Sequence, residues 1–185
     1  TCSDYLQWNY DERSFLNYNN MTEIEKGQLI FNYIFQKDEM HEQTNCGVKH
    51  NIEKSKYKET INKIFDKTVP DVTNSFETSL FKVDYNGTSY ELTDLDCGGC
   101  SDGYFTYDII GFEQYNDVTE IITANYKVSF DENGNRKIYD NNNNYIGTDD
   151  DLSQNYNKLM KYKYTFYKNG LDSSYFDLVE LIKNN

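Results

Sequence analysis

Hydrophobic residues recur at helical spacing in two segments of the first third of the chain. The first stripe consists of Ile24, Ile30, Phe31, Ile34 and Phe35. It predicts a helix at about residues 22–38, and Thr22 with Glu25 forms an S/T-x-x-E capping box at its start. The second stripe consists of Tyr57, Ile61, Ile64 and Phe65. It predicts a helix at about residues 52–66, after a polar connection at 39–51 and before Pro70, which acts as a stop signal.

From residue 78 onward the period of the hydrophobic pattern changes to two, which is typical of strands. The segment SLFKVDYNGTSYELTD alternates on both sides of Asn86-Gly87, a strong hairpin signal. Residues 104–115 and 118–130 predict two long strands joined at Asn116-Asp117, and Asn133-Gly134 predicts a further turn. Residues 159–168 and 174–183 predict a final hairpin. Gly111 lies inside a predicted strand, where glycine is typical of a β-bulge.

This order of elements predicts an α+β protein. We expect N-terminal helices, at about 22–66, to pack on a curved antiparallel sheet of five to seven strands. The strands would form a meander at about 78–183, of the NTF2-like or cystatin-like kind. Residues 1–20 predict a lead-in segment, and residues 21–185 a single domain.

The charge and the apolar content exclude two classes of partner. The net charge of −13 repels phosphate backbones and anionic membrane surfaces, so we expect no nucleic acid as partner. No run of about 18 apolar residues exists, so we expect no membrane insertion within this chain. Aromatic residues make up 16% of the chain, and such a composition favours a folded domain over a disordered one.

Three stretches carry a resemblance to a group of proteins. They are MTEIEKGQLIFNYIF, then SKYKETINKIFDK followed by CGGCSDGYFTYDIIGFEQYNDVTEIITANYKVSF, and KYKYTFYKNGLDSSYFDLVELIK. Together they resemble single-pass or secreted hypothetical proteins of AT-rich Gram-positive bacteria, a group with no assigned activity. The resemblance implies an extracytoplasmic location, either secreted or surface-anchored through a segment that this chain does not contain. The chain begins at Thr1 without a methionine, which indicates a processed or truncated form.

The segment LTDLDCGGCSDGYFTYD poses the main chemical question, because it contains Cys97 and Cys100 in a C-x-x-C motif. Disulfides are the favoured interpretation, since the count is even and oxidised cysteines suit an extracytoplasmic protein. The disulfide candidates are Cys2, Cys46, Cys97 and Cys100. A zinc site formed by Cys46, His50, Cys97 and Cys100, with His41 as an alternative ligand, is the second interpretation. Thiol-redox chemistry is the third, although the flanking aspartates disfavour a thiolate.

The remaining candidates are calcium loops and exposed aromatic residues. DENGNRKIYDNN and DNNNNYIGTDDD (140–151) space their oxygen ligands as calcium loops do, but both lack glycine at the sixth position, so Asn- and Asp-rich turns are favoured. We therefore expect no cofactor, and zinc and calcium are the alternatives. The proposed ligand-binding residues are Tyr104, Tyr107, Tyr126 and Tyr164. On a concave sheet they would bind a protein, peptide or glycan, whereas aromatic residues also simply favour strands.

No catalytic motif is present in the sequence, such as a G-x-S-x-G elbow or a phosphate-binding glycine loop. We therefore expect an extracytoplasmic domain that binds a ligand or partner without catalysis. The alternative is a metal-binding or thiol-redox protein centred on the CGGC segment.

Overall fold

The computed structural model of the chain describes residues 15–37, 47–78, 81–95, 104–168 and 174–182. Its contacts divide the chain into two compact units, which are described separately below. The first comprises Asn17–Gly99 and Lys168–Phe176, and the second comprises Cys2–Leu16, Cys100–Tyr167 and Asp177–Asn185. The prediction of a single domain at 21–185 stays a prediction.

The described part of the chain contains helices at three places among its strands. The helices are α1 (Glu23–Lys37), α2 (Lys54–Ile64), α3 (Asp149–Leu152) and a 3-10 helix at Ser153–Lys158. The first strands are β1 (Phe15–Asn17), β2 (Lys49–Glu53), β3 (Phe76–Glu77), β4 (Phe81–Tyr85) and β5 (Ser89–Asp94). The later strands are β6 (Tyr104–Tyr115), β7 (Val118–Phe130), β8 (Arg136–Tyr139), β9 (Tyr145–Gly147), β10 (Met160–Lys168) and β11 (Ser174–Ile182).

The first unit packs α1 and α2 with a four-stranded antiparallel sheet of order β2-β5-β4-β3. The capping box at the start of α1 is present, because the Thr22 N–H donates to Glu25 Oε2 at 2.7 Å and the Glu25 N–H donates to Thr22 Oγ1 at 3.2 Å. An aromatic cluster fills the core of this unit, with ring centroids 5.3 Å apart for Phe31 and Tyr57 and 4.7 Å apart for Tyr57 and Tyr90.

The centre of the second unit is the long strand β7. One edge of β7 pairs with β6 along almost its whole length, and the other edge pairs first with β10 and then with β8. The sheet continues in the order β1-β11-β10-β7-β8-β9, with β6 outside this path. A buried cluster, with Ala124, Val128, Ile138 and Leu159 at its centre, forms the core on one side of the sheet.

The structure confirms the α+β class and the antiparallel pairing, and it corrects the arrangement. The helices are not N-terminal, because β1 precedes α1, β2 lies between α1 and α2, and α3 follows β9. The predicted single meander is instead two sheets of seven and four strands. Residues 49–53 were expected to be connection and helix start, but they pair with β5, and this pairing overrides local propensity. Within the described residues, no helix is long and apolar enough to cross a membrane.

Candidate functional site

A bulge in β6 determines which side chains this strand exposes. The pairing of β6 with β7 shifts register between Ile109 and Gly111, so Ile110 is an extra residue opposite β7. Ile109 lies opposite Thr123 and Phe112 lies opposite Ile121, two β7 residues that share a face. Without the bulge, strict alternation would place Ile109 and Phe112 on opposite faces. The bulge therefore brings both onto one face, while Ile110 packs against the buried cluster on the other.

Three residues of β6 form an exposed surface, named here the apolar patch: Tyr107, Ile109 and Phe112. The side chains of Ile109 and Phe112 are each 62% exposed, and Tyr107 is 38% exposed. On the same face, β10, which pairs with the other edge of β7, places Tyr162 opposite Thr123 and Tyr164 opposite Ile121. Contiguous exposed apolar residues of this kind mark interaction sites more often than isolated ones do.

The tyrosines beside the apolar patch stay neutral over the physiological pH range. Burial raises the pKa of Tyr164 to about 12, the hydroxyls of Tyr162 and Tyr107 add to the shift, and a hydrogen bond with Thr123 opposes it. Burial also raises the pKa of Tyr162. Thr123 in turn donates a hydrogen bond from Oγ1 to Asn125 Oδ1 at 2.8 Å. The Tyr162 hydroxyl already donates a hydrogen bond to Met160 Sδ at 3.2 Å, and neither tyrosine supplies a base for proton transfer near neutral pH.

The opposite face of the sheet contains a carboxylate that two tyrosines engage. Asp108 accepts a hydrogen bond from the Tyr126 hydroxyl at 3.0 Å on Oδ1 and from the Tyr156 hydroxyl at 2.7 Å on Oδ2. Burial, followed by the charge of Asp108, raises the pKa of Tyr126, and the hydrogen bond to Asp108 raises the pKa of Tyr156 to about 12. Both carboxylate oxygens are thus occupied by interactions that tie β6 to β7 and to the 3-10 helix. This arrangement is structural.

The structure unites only part of the predicted tyrosine site. Tyr107 and Tyr164 lie on one face, and the hydroxyl of Tyr107 contributes to the raised pKa of Tyr164. Tyr126 lies on the opposite face, since it pairs with Thr106 beside Asp108. Tyr104 pairs with Val128 at the start of β6, and its side chain is not among the groups that the structure describes. Sequence reasoning missed Ile109 and Phe112, and the one available signal was Gly111 as a bulge marker.

The predicted metal residues lie mostly outside the described residues. All four disulfide candidates, Cys2, Cys46, Cys97 and Cys100, and also His41, are in segments that the structure does not describe. His50 lies in β2 opposite Leu92, and its Nε2 is buried with no hydrogen-bond partner. Within the described ranges, no group of three or more His, Cys, Asp or Glu side chains is placed to hold a metal ion.

The two segments that were weighed as calcium loops and predicted to be turns form a pair of equivalent hairpin turns. Asp131 accepts backbone hydrogen bonds from Asn133 and Asn135 on Oδ1, each at 2.9 Å. Asp140 accepts the corresponding bonds from Asn142 and Asn144 at 2.9 and 2.8 Å. Burial raises the pKa of Asp140, but the bonds from Asn144 and Asn142 outweigh it and hold the pKa below the usual range. The aspartates therefore stabilise their own turns, as the turn interpretation predicted.

The end of the second loop segment is used in the same way. The Asp151 carboxylate accepts a hydrogen bond from the Thr148 N–H at 3.0 Å, which caps α3.

No family model matches the chain, and neither a curated protein nor a solved structure matches it.

Proposed function

We propose that this chain is an extracytoplasmic domain that binds a ligand or partner without catalysis, and that it binds through the apolar patch. The observation that carries this proposal is the exposure of Ile109 and Phe112 on one face, side by side with Tyr107. Complete burial of such a side chain is worth about 1.5–3 kcal/mol. Because each is already partly covered, a partner would gain roughly 1–2 kcal/mol from each of the two.

The absence of catalysis is supported by the state of the titratable groups on the two faces of this sheet. Both oxygens of Asp108 accept hydrogen bonds from tyrosines, and the pKa of Tyr164 is raised to about 12. A general base needs a pKa near the working pH and a free lone pair aimed at its substrate. Tyr164 does not meet the first requirement, and both oxygens of Asp108 are already engaged, whereas a hydroxyl beside an apolar surface is suited to binding.

The test is a pair of matched variants on peptide and glycan arrays. We expect Ile109→Ser combined with Phe112→Ser to abolish the array signal of the wild-type chain. Phe130→Ser is the control, since Phe130 is 50% exposed on β7 outside the patch, and its signal should persist. Equal binding by the double variant and the wild type would contradict the proposal. Robust turnover in a broad substrate screen would contradict the non-catalytic part.

Metal binding or thiol-redox chemistry at the CGGC segment is the second candidate function. The observation in its favour is the buried Nε2 atom of His50, which has no hydrogen-bond partner. His50 lies in β2, which pairs with β5, and in the sequence Cys46 comes shortly before β2 and Cys97 shortly after β5. At that end the Gly47 N–H donates to the Asp94 carbonyl at 2.8 Å. Native mass spectrometry with zinc tests it: bound metal that is lost in His50→Ala and in Cys97→Ser would support a zinc site. Metal content near zero, with normal folding, would refute the zinc site.

The finer parts of the sequence interpretation remain proposals. The curved sheet of the NTF2-like or cystatin-like kind is supported by the bulge in β6, which bends a strand. An extracytoplasmic location is supported by the resemblance and by the even number of cysteines. Two disulfides in the purified chain would strengthen the assignment of location, and four free thiols would remove its main support.

A further inference from the structure

Strand β6 is an edge strand of the sheet in the part of the chain that the structure describes. Among the described strands, β6 pairs only with β7, so its other edge presents backbone N–H and C=O groups. Its 12 residues span about 40 Å, and residues 112–117 are all exposed. Proteins usually protect such an edge with proline, lysine or a short strand. β6 contains no proline and no lysine, and its bulge leaves a regular segment on each side.

The other edge strands of the described sheets differ from β6. At the ends of the seven-stranded sheet, β1 and β9 have three residues each, and at one end of the four-stranded sheet β3 has two. The fourth, β2, has five residues, of which two are charged, Lys49 and Glu53. Only β6 among these strands combines length with exposed apolar side chains.

We propose that the free edge of β6 binds an extended cationic peptide as an additional antiparallel or parallel strand. This inference rests on the proposed function and specifies its partner. In an added strand, side chains on the face of the apolar patch would lie about 5 Å from Ile109 and Phe112 and pair with them. Alternate apolar residues in the peptide would therefore cover the patch, while the backbone hydrogen bonds supply affinity that depends little on sequence.

The charge of the strand identifies the peptide as basic. Of the two carboxylates in β6, Glu113 is exposed, whereas Asp108 accepts hydrogen bonds from two tyrosines on the face opposite the apolar patch, and β6 contains no cationic side chain. The whole chain has a net charge of −13, which attracts a cationic segment and repels a second copy of itself. In a pairing of two copies the like charges of both β6 strands would lie within a Debye length of about 8–10 Å, where salt screens them little.

The experiment uses a fluorescent synthetic peptide of about ten residues, in which lysine alternates with valine and isoleucine. Two derivatives are N-methylated at alternate residues in opposite phase, so that each blocks the hydrogen bonds of one peptide edge only. Measured by fluorescence anisotropy, one derivative should lose at least about tenfold in affinity, while the other binds as the parent peptide does. Loss by both derivatives or by neither would overturn strand addition.

Charge variants provide the control on the protein. Glu113→Lys should weaken binding by about fivefold. Glu132→Lys makes the same change in net charge at an exposed site away from β6 and should bind as the wild type does. Equal weakening by both would refute a specific role for the edge.

The remaining outcomes distinguish the inference from the proposed function. If binding is lost with the patch double variant but both methylated peptides bind equally, the patch binds and the added strand is wrong. If the peptide fails to bind while an array ligand depends on the patch, the inference falls and the proposed function stands. A concentration-dependent dimer in sedimentation, abolished by Glu113→Lys or Ile109→Ser, would assign the edge to a second copy and overturn the inference.

Discussion

Gly27 lies inside α1 at a point where the helix leaves no room for a side chain. A Cβ added at Gly27 would lie 2.7 Å from Val72 Cγ2 and 3.4 Å from Phe76 Cε1. Ordinary contact begins near 3.4 Å, so Val72 would have to retreat by about 0.7 Å. Val72 is buried and β-branched, and such a side chain has few alternative rotamers. Gly27→Ala therefore tests how tightly α1 packs against the segment that precedes β3.

Two opposing terms determine the result. Replacing glycine by alanine inside a helix gains about 1 kcal/mol of helix propensity. Forcing an extra methyl group into a well-packed core costs typically 1–3 kcal/mol. With the short distance to Val72, we expect the packing term to prevail and Gly27→Ala to reduce the free energy of unfolding by about 1 kcal/mol.

A double-mutant cycle isolates the cause. In a Val72→Ala background the Cγ2 atom is absent, so the same Gly27→Ala change should stabilise the protein by up to about 1 kcal/mol. Urea unfolding of the four proteins, followed by circular dichroism, measures each free energy. The reversal of sign between the two backgrounds is the expected result. An equal effect of Gly27→Ala in both backgrounds would refute the packing argument.

Four further predictions follow from other parts of the structure. Several inaccessible tyrosines have raised pKa values: Tyr57, Tyr90, Tyr126 and Tyr162. Because each pKa is higher in the folded chain than in the unfolded chain, each tyrosine contributes its full stabilisation below pH 10. As the pH rises from 10 toward the folded-state pKa, the free energy of unfolding should fall by about 1.4 kcal/mol per pH unit for each tyrosine. In an alkaline titration, tyrosinate should therefore appear together with loss of the circular dichroism signal. Tyrosinate formation without unfolding would contradict this. Tyr156→Phe, which removes the donor to Asp108 Oδ2, should cost about 1–2 kcal/mol in urea unfolding, and an unchanged midpoint would show that the bond contributes nothing. Gly134→Ala, at φ +80°, should reduce the free energy of unfolding by about 1 kcal/mol, whereas Asn143→Gly, at φ 62°, should leave it unchanged or raise it. The reverse order would refute the equivalence of the two turns. Intact mass after alkylation of the denatured, unreduced chain should show no modified thiol, and four modified thiols would refute the disulfide prediction.

Local signals in the sequence identified most of the elements. The capping box, the two helical stripes and the turns at Asn86-Gly87 and Asn116-Asp117 are each encoded within a few residues, and the structure contains all of them. The pairing of the strands was not predictable in this way. Alternation identifies a strand and its two faces, but β2 meets β5 across 42 residues of sequence between Lys49 and Glu91, a contact that no short pattern records.

The candidate site shows the same limit more sharply. Strict alternation would separate Ile109 from Phe112, and only the register shift beside Gly111 places them together. Gly111 indicated that a bulge was present, but the face on which it leaves each neighbour depends on the pairing with β7. The predicted tyrosine site was therefore only partly assembled, because Tyr126 alternates to the core face while Tyr164 does not.

The paired turns on either side of β8 have a consequence for the order in which the chain acquires structure. Each is closed by its own aspartate over five residues, Asp131–Asn135 and Asp140–Asn144, so β7, β8 and β9 require only short-range contacts. Hairpins of this size form in about 1–10 μs, whereas β10 must search across the whole intervening segment before it pairs with β7. We expect β6 to β9 to form the early nucleus of the second unit. When the nascent chain has left the ribosome as far as Gly147, β6 to β9 can already pair and the edge of β6 is already present. At that point β10 and β11, which complete the sheet, have not yet emerged.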